Sequence, residues 1–348
     1  MFMDFSNYSE TQIASCFSNE VLELILLPTE KCNFRCTYCY EDFLIGRMPR
    51  HVIDGIKNLM TIRAPSLEQL SLSWFGGEPL LQKKICIEIA EHGLALAEKY
   101  DIQFNGGFTT NGYLLECEDI SVFSRLNHAQ FQITLDGDRE AHDETRLLAN
   151  GGGTFDRLWA KLRDFSYLDI DFKITLRLHL SPSNIDSMLR LVTRIEDEFG
   201  GDPRFSIHFH KITDLGGPNS GEFPTFGIEE YSAALAKLRE ITGISLKNES
   251  ELDLQSNYSI CYAAKPNSLL IRADGTLGKC TVAFSDERNS IGSLNPDGTL
   301  KIKQDVWRLW LKGFEDMDPD FLNCPYSKLP SLPVAERTET IDIKVLSD

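Results

Sequence analysis

Three cysteines crowd into eight residues near the amino end of this 348-residue chain, in the sequence Cys32-Asn-Phe-Arg-Cys36-Thr-Tyr-Cys39. Three thiolates at this spacing can hold three irons of a cubane cluster and leave the fourth iron open to another ligand. A zinc site, which normally completes four ligands, and a redox pair of Cys36 and Cys39 are the alternatives. The position of the triad directly after an apolar run favours the iron–sulfur interpretation.

The other cysteines form a second group and three isolated positions. Cys261, Cys280 and Cys324 lie in the last quarter of the chain, whereas Cys16, Cys86 and Cys117 are scattered. Nine cysteines are too few for a disulfide framework at this length, and clustered thiols in a reducing compartment more often hold metal. We expect the three scattered cysteines to be structural.

Six short β-rich runs alternate with amphipathic helical patterns, which predicts a parallel sheet. The runs span residues 22–28, 70–75, 102–110, 130–135, 172–180 and 205–211. Because the loops at the carboxyl ends of parallel strands converge, we expect the site at that edge. Six units are too few for a closed eight-stranded barrel, so the expected fold is α/β, a partial (β/α)6 barrel.

A smaller unit is predicted toward the carboxyl end. Asp-Gly pairs at 274–275 and 297–298 lie between apolar runs and predict two β-hairpins. The expected organisation is an N-terminal extension (1–20), the partial barrel (21–212), a linker with a bridging helix (213–260), a small hairpin-based domain (261–327) and a tail (328–348).

Composition excludes several classes of partner. The net charge of −17 opposes binding to phosphate backbones, so nucleic acid is not an expected partner. The amino end lacks a basic region followed by an apolar one, and the longest apolar stretch is interrupted by Glu23. That stretch is far shorter than the roughly 20 residues of a membrane span. We expect a cytoplasmic protein without a membrane partner.

The motifs at successive strand ends resemble, in their order, the radical S-adenosylmethionine (SAM) superfamily. Tyr38 and Tyr40 flank the last cysteine of the triad. The later motifs are Gly76-Gly77-Glu78-Pro79, Thr109-Thr110-Asn111-Gly112 and Thr134-Leu135-Asp136-Gly137. His142-Asp-Glu-Thr-Arg146, followed by Gly152-Gly153-Thr154-Phe155, is similar to a segment of the peptide-modifying members. The resemblance covers residues 21–211.

This resemblance implies that Cys32, Cys36 and Cys39 hold a [4Fe–4S] cluster whose open iron chelates SAM. The implied SAM-binding residues are Tyr38, Gly76, Gly77, Glu78, Pro79, Asn111, Thr134 and Arg146. Among them, the Gly-Gly-Glu-Pro backbone and Glu78 would bind the methionine amino group, and Thr134 and Arg146 the ribose and the carboxylate. Such a cluster passes one electron into the sulfonium and yields a 5′-deoxyadenosyl radical, which abstracts hydrogen from a nearby C–H bond.

The second cysteine group resembles the auxiliary-cluster region called SPASM, or its shortened form Twitch. Cys261 is followed by thirteen residues, Gly275, four residues and Cys280. Ser327 stands where a further cysteine would be expected after Cys324, so the resemblance implies one auxiliary iron–sulfur cluster at most, of the [4Fe–4S] type. Its ligands would be Cys261, Cys280 and Cys324, and its fourth iron would be open, bound by an oxygen such as that of Ser327, or reached by a scattered cysteine.

The resemblance implies a radical SAM oxidoreductase that matures a ribosomally made precursor peptide through a side-chain cross-link, either carbon–carbon (cyclophane-like) or thioether. The alternatives are a Twitch-type dehydrogenase of a small alcohol or amino sugar, and a non-catalytic iron–sulfur sensor. Ferredoxin or flavodoxin is the implied electron donor. Because only about twenty residues precede the first strand, a separate leader-binding protein is a further expected partner. No catalytic acid or base is predicted, although His208 and His210 alternate along the last strand and share a face.

Overall fold

The computed structural model describes residues 8–217, 219–242, 259–332 and 340–343, and it has a mixed α/β architecture. The helices are α1 Glu10–Phe17, α2 Arg50–Arg63, α3 Lys83–Tyr100, α4 Cys117–Arg125, α5 Arg139–Thr145, α6 Phe155–Ser166, α7 Ile185–Phe199, α8 Ile228–Thr242, α9 Gln304–Leu311, α10 Gly313–Asp316, α11 Pro319–Asn323 and α12 Pro325–Lys328. The strands are β1 Val21–Leu26, β2 Phe34–Cys36, β3 Gln69–Trp74, β4 Gln103–Thr110, β5 Gln130–Leu135, β6 Arg146–Leu148, β7 Lys173–Leu180, β8 Phe205–Lys211, β9 Ser268–Ile271, β10 Thr276–Gly278, β11 Gly292–Leu294, β12 Leu300–Lys303 and β13 Thr340–Ile343.

The chain divides into two compact units, and the first comprises Met1–Lys31, Leu44–Gly106 and Gln255–Asp348. Its strands follow the order β13-β12-β11-β10-β9-β1-β3. Strand β1 pairs in parallel with both β3 and β9, and the pairs from β9 to β13 are antiparallel. The apolar run of β1 therefore lies at the centre of this sheet, where Leu22, Leu24 and Leu26 are fully buried.

The second unit comprises Cys32–Phe43 and Gly107–Leu254. Its sheet contains the end of β4 followed by β5, β7 and β8, all parallel. In β7 the buried residues alternate with half-buried ones, so one face of the strand carries Ile174, Leu176 and Leu178 and the other carries polar groups. A separate two-stranded ladder joins β2 to β6 in this unit.

The six β-rich runs predicted from the sequence are strands, with ends that shift by at most two residues. Both Asp-Gly hairpins form, as β9–β10 and β11–β12. The first of these strands differs from the expected separate module, because β9 joins the sheet of β1. All four residues of β9 are buried, and a strand covered on both faces needs a central position in a sheet.

Parts of the predicted linker and tail, residues 243–258, 333–339 and 344–348, lie outside the described residues. Within the expected tail, Thr340–Ile343 instead forms β13 and pairs with β12. The exposed edge of β12 supplies free backbone groups for this pairing. The domain limits given above stay predictions. In the part of the chain that the structure describes, no helix combines the length and the apolar character that crossing a membrane requires.

Candidate cofactor site and auxiliary thiols

The cysteine triad lies in a loop that is tied to the His142–Arg146 segment. Strand β2 pairs antiparallel with β6, and this register sets Cys36 opposite Arg146. The backbone N–H of Thr37 donates to the Thr145 carbonyl at 2.9 Å, and that of Cys39 donates to the Cys36 carbonyl at 3.1 Å. The loop and the arginine thus form one local structure, although 110 positions separate Cys36 from Arg146 in the chain.

All three thiols are half-buried, and their surroundings are polar. The Phe34 backbone N–H lies 3.4 Å from the Cys32 sulfur, and the Asn111 amide nitrogen lies 3.8 Å from it. Burial raises the pKa of Cys36, against the opposing effect of the Arg146 cation. Burial also raises the pKa of Cys39 to about 12. Protonated thiols are therefore favoured until a metal displaces the protons, which coordination does outright.

Tyr38, between Cys36 and Cys39, is the centre of a buried hydrogen-bond network. Its hydroxyl donates to the Asp136 carboxylate at 2.8 Å and accepts from Arg146 Nη1 at 2.7 Å. His179 Nδ1 lies 3.1 Å from the same oxygen. Thr145 Oγ1 donates to the same Asp136 oxygen, Oδ2, at 2.7 Å. One phenol therefore joins β6, β7 and the segment that follows β5 to the cysteine loop.

The charges in this network compensate one another. Burial raises the pKa of Asp136, and the Arg146 cation opposes that effect. Burial alone would lower the pKa of Arg146, but Cys36, Tyr38 and Asp136 together raise it well above its ordinary value. Removing either of two buried opposite charges that share a phenol is costly, because the remaining charge would lack compensation.

The Gly-Gly-Glu-Pro loop packs against the backbone that precedes Cys32, within the first unit. A Cβ on Gly77 would lie 2.5 Å from the Lys31 carbonyl oxygen, so only glycine allows this approach. Glu78 is fully buried, its N–H donates to the same carbonyl at 3.0 Å, and its Oε1 accepts from the Leu80 N–H at 2.9 Å. The glutamate thus caps the 3-10 turn that begins at Pro79.

The remaining predicted SAM-binding residues, Asn111 and Thr134, are buried at the ends of β4 and β5. Asn111 donates to the Asn33 side chain at 2.8 Å and accepts from the Tyr113 N–H at 3.0 Å. Thr134 pairs in register with Arg177 of β7. The second unit thus brings Tyr38, Asn111 and Arg146 together with the triad and places Thr134 beside Arg177, and the SAM-binding roles themselves stay predictions.

Sequence reasoning missed the residues that hold Arg146 in position. Thr154 Oγ1 donates to the Arg146 carbonyl at 2.7 Å and lies 3.0 Å from His142 Nε2. Asp143 accepts from the backbone N–H groups of Thr154 and Phe155 at 2.7 and 2.9 Å. His142, Asp143 and Thr154 therefore hold strand β6 in position, and the similarity of residues 142–155 to the segment named above was the available signal.

Unpaired polar atoms and a nearby cation indicate whether an iron–sulfur cluster and SAM fit the second unit. Asn33 Nδ2, Arg146 Nε, Arg177 Nε and His179 Nε2 are among the buried polar atoms without a hydrogen-bond partner in the described part of the second unit. Unpaired buried polar atoms are rare in proteins, so their grouping indicates a polar ligand. Three thiols beside a cation suit an anionic iron–sulfur cluster, and the residues therefore fit both groups.

No set of three or more His, Cys, Asp or Glu side chains among the described residues is arranged to hold a single metal ion. A cubane binds each cysteine through a different iron, so convergence on one point is not its requirement. The ligand roles of Cys32, Cys36 and Cys39 stay a prediction.

The second cysteine group is assembled by backbone and amide hydrogen bonds within the first unit. The Cys261 N–H donates at 2.8 Å to the carbonyl of Leu322, which lies two residues before Cys324. Asn289, which is buried, accepts from the Cys280 N–H at 2.9 Å and donates to the Cys280 carbonyl at 2.8 Å. Burial raises the pKa of Cys261, and of Cys280 to about 12, and the neighbouring thiols add to both effects.

The other candidates for this group have separate partners. Ser327 Oγ donates to the Cys324 carbonyl at 2.8 Å. Cys16 and Cys86 are buried, with their sulfurs near the carbonyls of Gln12 and Pro79, and Cys117 begins α4. These positions agree with structural roles for the scattered cysteines.

Comparison with known proteins identifies the class. Residues 26–193 match the family described as the Radical SAM superfamily. The chain is 25% identical over 233 residues to the cysteine-type anaerobic sulfatase-maturating enzyme of Clostridium novyi, which covers 63% of this chain and 59% of that enzyme. It is 23% identical over 305 residues to the GTP 3′,8-cyclase of Campylobacter jejuni subsp. doylei, which covers 83% of this chain and 89% of the cyclase.

Solved structures agree on the fold. The structure of anSMEcpe with bound AdoMet and Cp18Cys peptide matches with a TM-score of 0.58 at 18% identity, over 79% of this chain and 77% of that one. Streptococcus suis SuiB bound to precursor peptide SuiA matches with a TM-score of 0.55 at 16% identity, over 86% and 67%. The expected fold class is confirmed: α/β, with a parallel sheet in a partial-barrel arrangement and small C-terminal antiparallel strands.

The chain contains a radical SAM domain over residues 26–193. More particularly, the chain is similar to a sulfatase-maturating enzyme, and it spans 59% of the length of that relative. A radical SAM domain implies a [4Fe–4S] cluster and SAM as cofactors.

Proposed function

We propose that this enzyme modifies a ribosomally made precursor peptide by radical chemistry and joins two of its side chains through a carbon–carbon (cyclophane-like) or thioether bond. The observation that carries the proposal is the Tyr38 network, which ties the cysteine loop to Asp136, Arg146 and His179. Likeness to structures of anSMEcpe and SuiB that contain peptides supports a peptide as the substrate.

The residues of the candidate site have separate roles in this proposal. Cys32, Cys36 and Cys39 would hold the [4Fe–4S] cluster, and Arg146 would orient the methionine carboxylate of SAM. When bound, the cluster supplies the electron that splits SAM into methionine and a 5′-deoxyadenosyl radical, and an auxiliary cluster supplies an acceptor for the electron that the substrate releases. Tyr38 fixes the side chains of Arg146 and Asp136, so that the charged groups stay in position while the substrate binds.

A single auxiliary cluster at Cys261, Cys280 and Cys324 is part of this proposal. The electrostatic coupling of the three thiols supports it, because their charges act on one another. Removing all three thiols by substitution with alanine is expected to lower the iron content of the anaerobically reconstituted enzyme by about four irons per chain. Unchanged iron content rejects the auxiliary cluster. Ferredoxin or flavodoxin as donor and a separate leader-binding protein stay predictions.

The experiment that tests the peptide function uses the reconstituted enzyme with SAM, dithionite and a short peptide encoded beside its gene. We expect 5′-deoxyadenosine and a peptide whose mass decreases by one pair of hydrogen atoms. That balance follows because one hydrogen atom goes to the deoxyadenosyl group, while the second leaves as a proton and an electron. Formation of 5′-deoxyadenosine with an unchanged peptide mass contradicts the cross-linking reaction.

A nucleotide is the second candidate substrate. The relationship to GTP 3′,8-cyclases favours it, because the match extends over 83% of this chain. The same assay with GTP in place of the peptide separates the two candidates. Consumption of GTP together with 5′-deoxyadenosine formation would select the nucleotide, and consumption of the peptide alone would select the maturase.

A further inference from the structure

Strands β7 and β8 of the second unit share a polar face whose side chains have no role in the reaction proposed above. Arg177 pairs in register with His208, and His179 with His210. The ring centroids of His179 and His210 are 5.6 Å apart, and those of His208 and His210 are 5.9 Å apart. These four half-buried residues are called the Arg177–histidine face below. The opposite face of both strands is apolar and buried.

Arg177 carries a positive charge on this face without a paired carboxylate. Within the described residues, no carboxylate oxygen lies within 4.0 Å of its guanidinium, and its buried Nε has no hydrogen-bond partner. Other arginines with limited exposure are paired differently: Arg204, Arg272 and Arg288 each lie 2.6 Å from a carboxylate oxygen. Burying a guanidinium without a carboxylate partner destabilises the folded protein, which indicates a ligand that pairs with it.

His179 adds a hydrogen-bond acceptor beside that cation. The single proton of the Tyr38 hydroxyl goes to Asp136, so His179 must donate from Nδ1 to the phenol oxygen. Burial lowers the pKa of His179 well below its ordinary value, and the Arg177 cation adds to this effect. The ring is therefore neutral. Its buried Nε2 has no hydrogen-bond partner and can accept a hydrogen bond from an N–H or O–H group of a ligand.

We propose that the Arg177–histidine face binds a carboxylate of the substrate through Arg177 while His179 Nε2 accepts a hydrogen bond from a neighbouring amide N–H. The proposal rests on the proposed function, because the Tyr38 contact joins this face to the cysteine loop where the radical would form. A planar guanidinium matches the two oxygens of a carboxylate. An acidic residue in a peptide supplies both the carboxylate and the amide.

The charge on this face favours one carboxylate over a polyphosphate. Arg177 is the only arginine among the four residues of this face, and Arg146, which lies on β6, is assigned above to the methionine carboxylate of SAM. Burial lowers the pKa of His210 to about 3, so this ring adds no positive charge near neutral pH. A triphosphate would leave most of its negative charge without a partner in a protein whose net charge is already −17.

The test is a ligand-observed NMR titration of the reconstituted, SAM-bound enzyme with N-acetylglutamate N-methylamide. The glutamine analogue of the same probe is its neutral control, and GTP is the phosphate probe. For a small carboxylate fragment we expect a Kd on the order of 1 mM. Because one charged hydrogen bond is lost, the glutamine analogue should bind about tenfold more weakly or worse.

Two variants locate the binding. Arg177→Gln should weaken the glutamate probe by about tenfold or more, and Arg190→Gln should leave its Kd within about twofold. Arg190 is a matched control because it pairs with Asp138 on the exposed side of α7. Equal affinity of the glutamate and glutamine probes for the wild-type enzyme overturns the proposal without relying on any variant. Tighter binding of GTP that Arg177→Gln abolishes overturns it in favour of a phosphate.

Two different measurements distinguish failure of this inference from failure of the proposed function. The same wild-type preparation, given SAM and dithionite, reports the radical function through 5′-deoxyadenosine. Carboxylate binding without 5′-deoxyadenosine rejects the radical function and keeps the binding face. The converse result, 5′-deoxyadenosine with no preference for the carboxylate probe, rejects the binding face alone.

Discussion

Replacing Tyr38 with phenylalanine removes one oxygen and leaves the ring, so it isolates the contribution of the central hydrogen-bond network. That oxygen donates to Asp136 and accepts from Arg146, and both partners are charged. A hydrogen bond to a charged group contributes about 1.5–3 kcal/mol. The two bonds set an upper range of about 3–6 kcal/mol, and because Thr145 still donates to Asp136 we expect a loss of about 3 kcal/mol.

The assay is urea unfolding of the metal-free protein, followed by far-UV circular dichroism. With an m-value of about 3 kcal/mol/M, the expected loss lowers the unfolding midpoint by about 1 M. Tyr113→Phe is the matched control: its ring packs against Phe34 with the centroids 5.7 Å apart, and its hydroxyl has no hydrogen bond within the described part of the chain. We expect a change below about 0.5 kcal/mol for this control.

A result in which both tyrosine variants unfold at the same urea concentration would refute the network. It would mean that the Tyr38 hydroxyl stabilises Arg146 and Asp136 no more than water does. The assignment of Arg146 as a fixed, charge-compensated SAM-binding residue would then lose its structural basis.

Three further predictions concern stability and use the same unfolding assay. Arg272→Met should cost about 3–5 kcal/mol, because it leaves buried Glu30 without its partner at 2.6 Å, and Glu30→Gln in the same chain should restore part of the loss; no recovery contradicts the pair. Gly77→Ala should cost about 2 kcal/mol, since its Cβ would meet the Lys31 carbonyl at 2.5 Å, whereas Gly46→Ala, with open space around it, should be neutral; equal effects contradict the close approach. Burial lowers the pKa of His128 to about 4, below the ordinary 6.5, so the folded state resists protonation and stability should fall as the pH decreases from about 6.5 to 4. By pH 5 this group should cost about 2 kcal/mol, a loss absent from His128→Gln; an equal acid sensitivity of both proteins would contradict it.

The strands could be predicted because their apolar residues follow a local pattern. Residues 130–135 and 205–211 alternate or run apolar between turn signals, and both are strands with those ends. The pairing of β9 with β1 was not predictable in this way, because local periodicity carries no information about which strands become neighbours. The pairing of β9 with β1 depends on the burial of both faces of Ser268–Ile271, a segment more than 240 residues after β1.

In the candidate site, too, local sequence features could be predicted and long-range contacts could not. The spacing of Cys32, Cys36 and Cys39 is visible in eight residues, and the order of the later motifs led to the superfamily. The partners of the Tyr38 hydroxyl are 98 and 141 positions away, at Asp136 and His179, so only the folded chain brings them together. The three-residue strands β2 and β6, which set Cys36 opposite Arg146, are too short for a periodic signal.

The most direct measurement of the central claim is 5′-deoxyadenosine formation by anaerobically reconstituted enzyme supplied with SAM and dithionite. We predict that the wild-type protein and Cys117→Ala produce it, and that a protein with alanine at positions 32, 36 and 39 produces none. Intact SAM in the wild-type reaction, or equal 5′-deoxyadenosine formation after loss of the three thiols, would contradict the account.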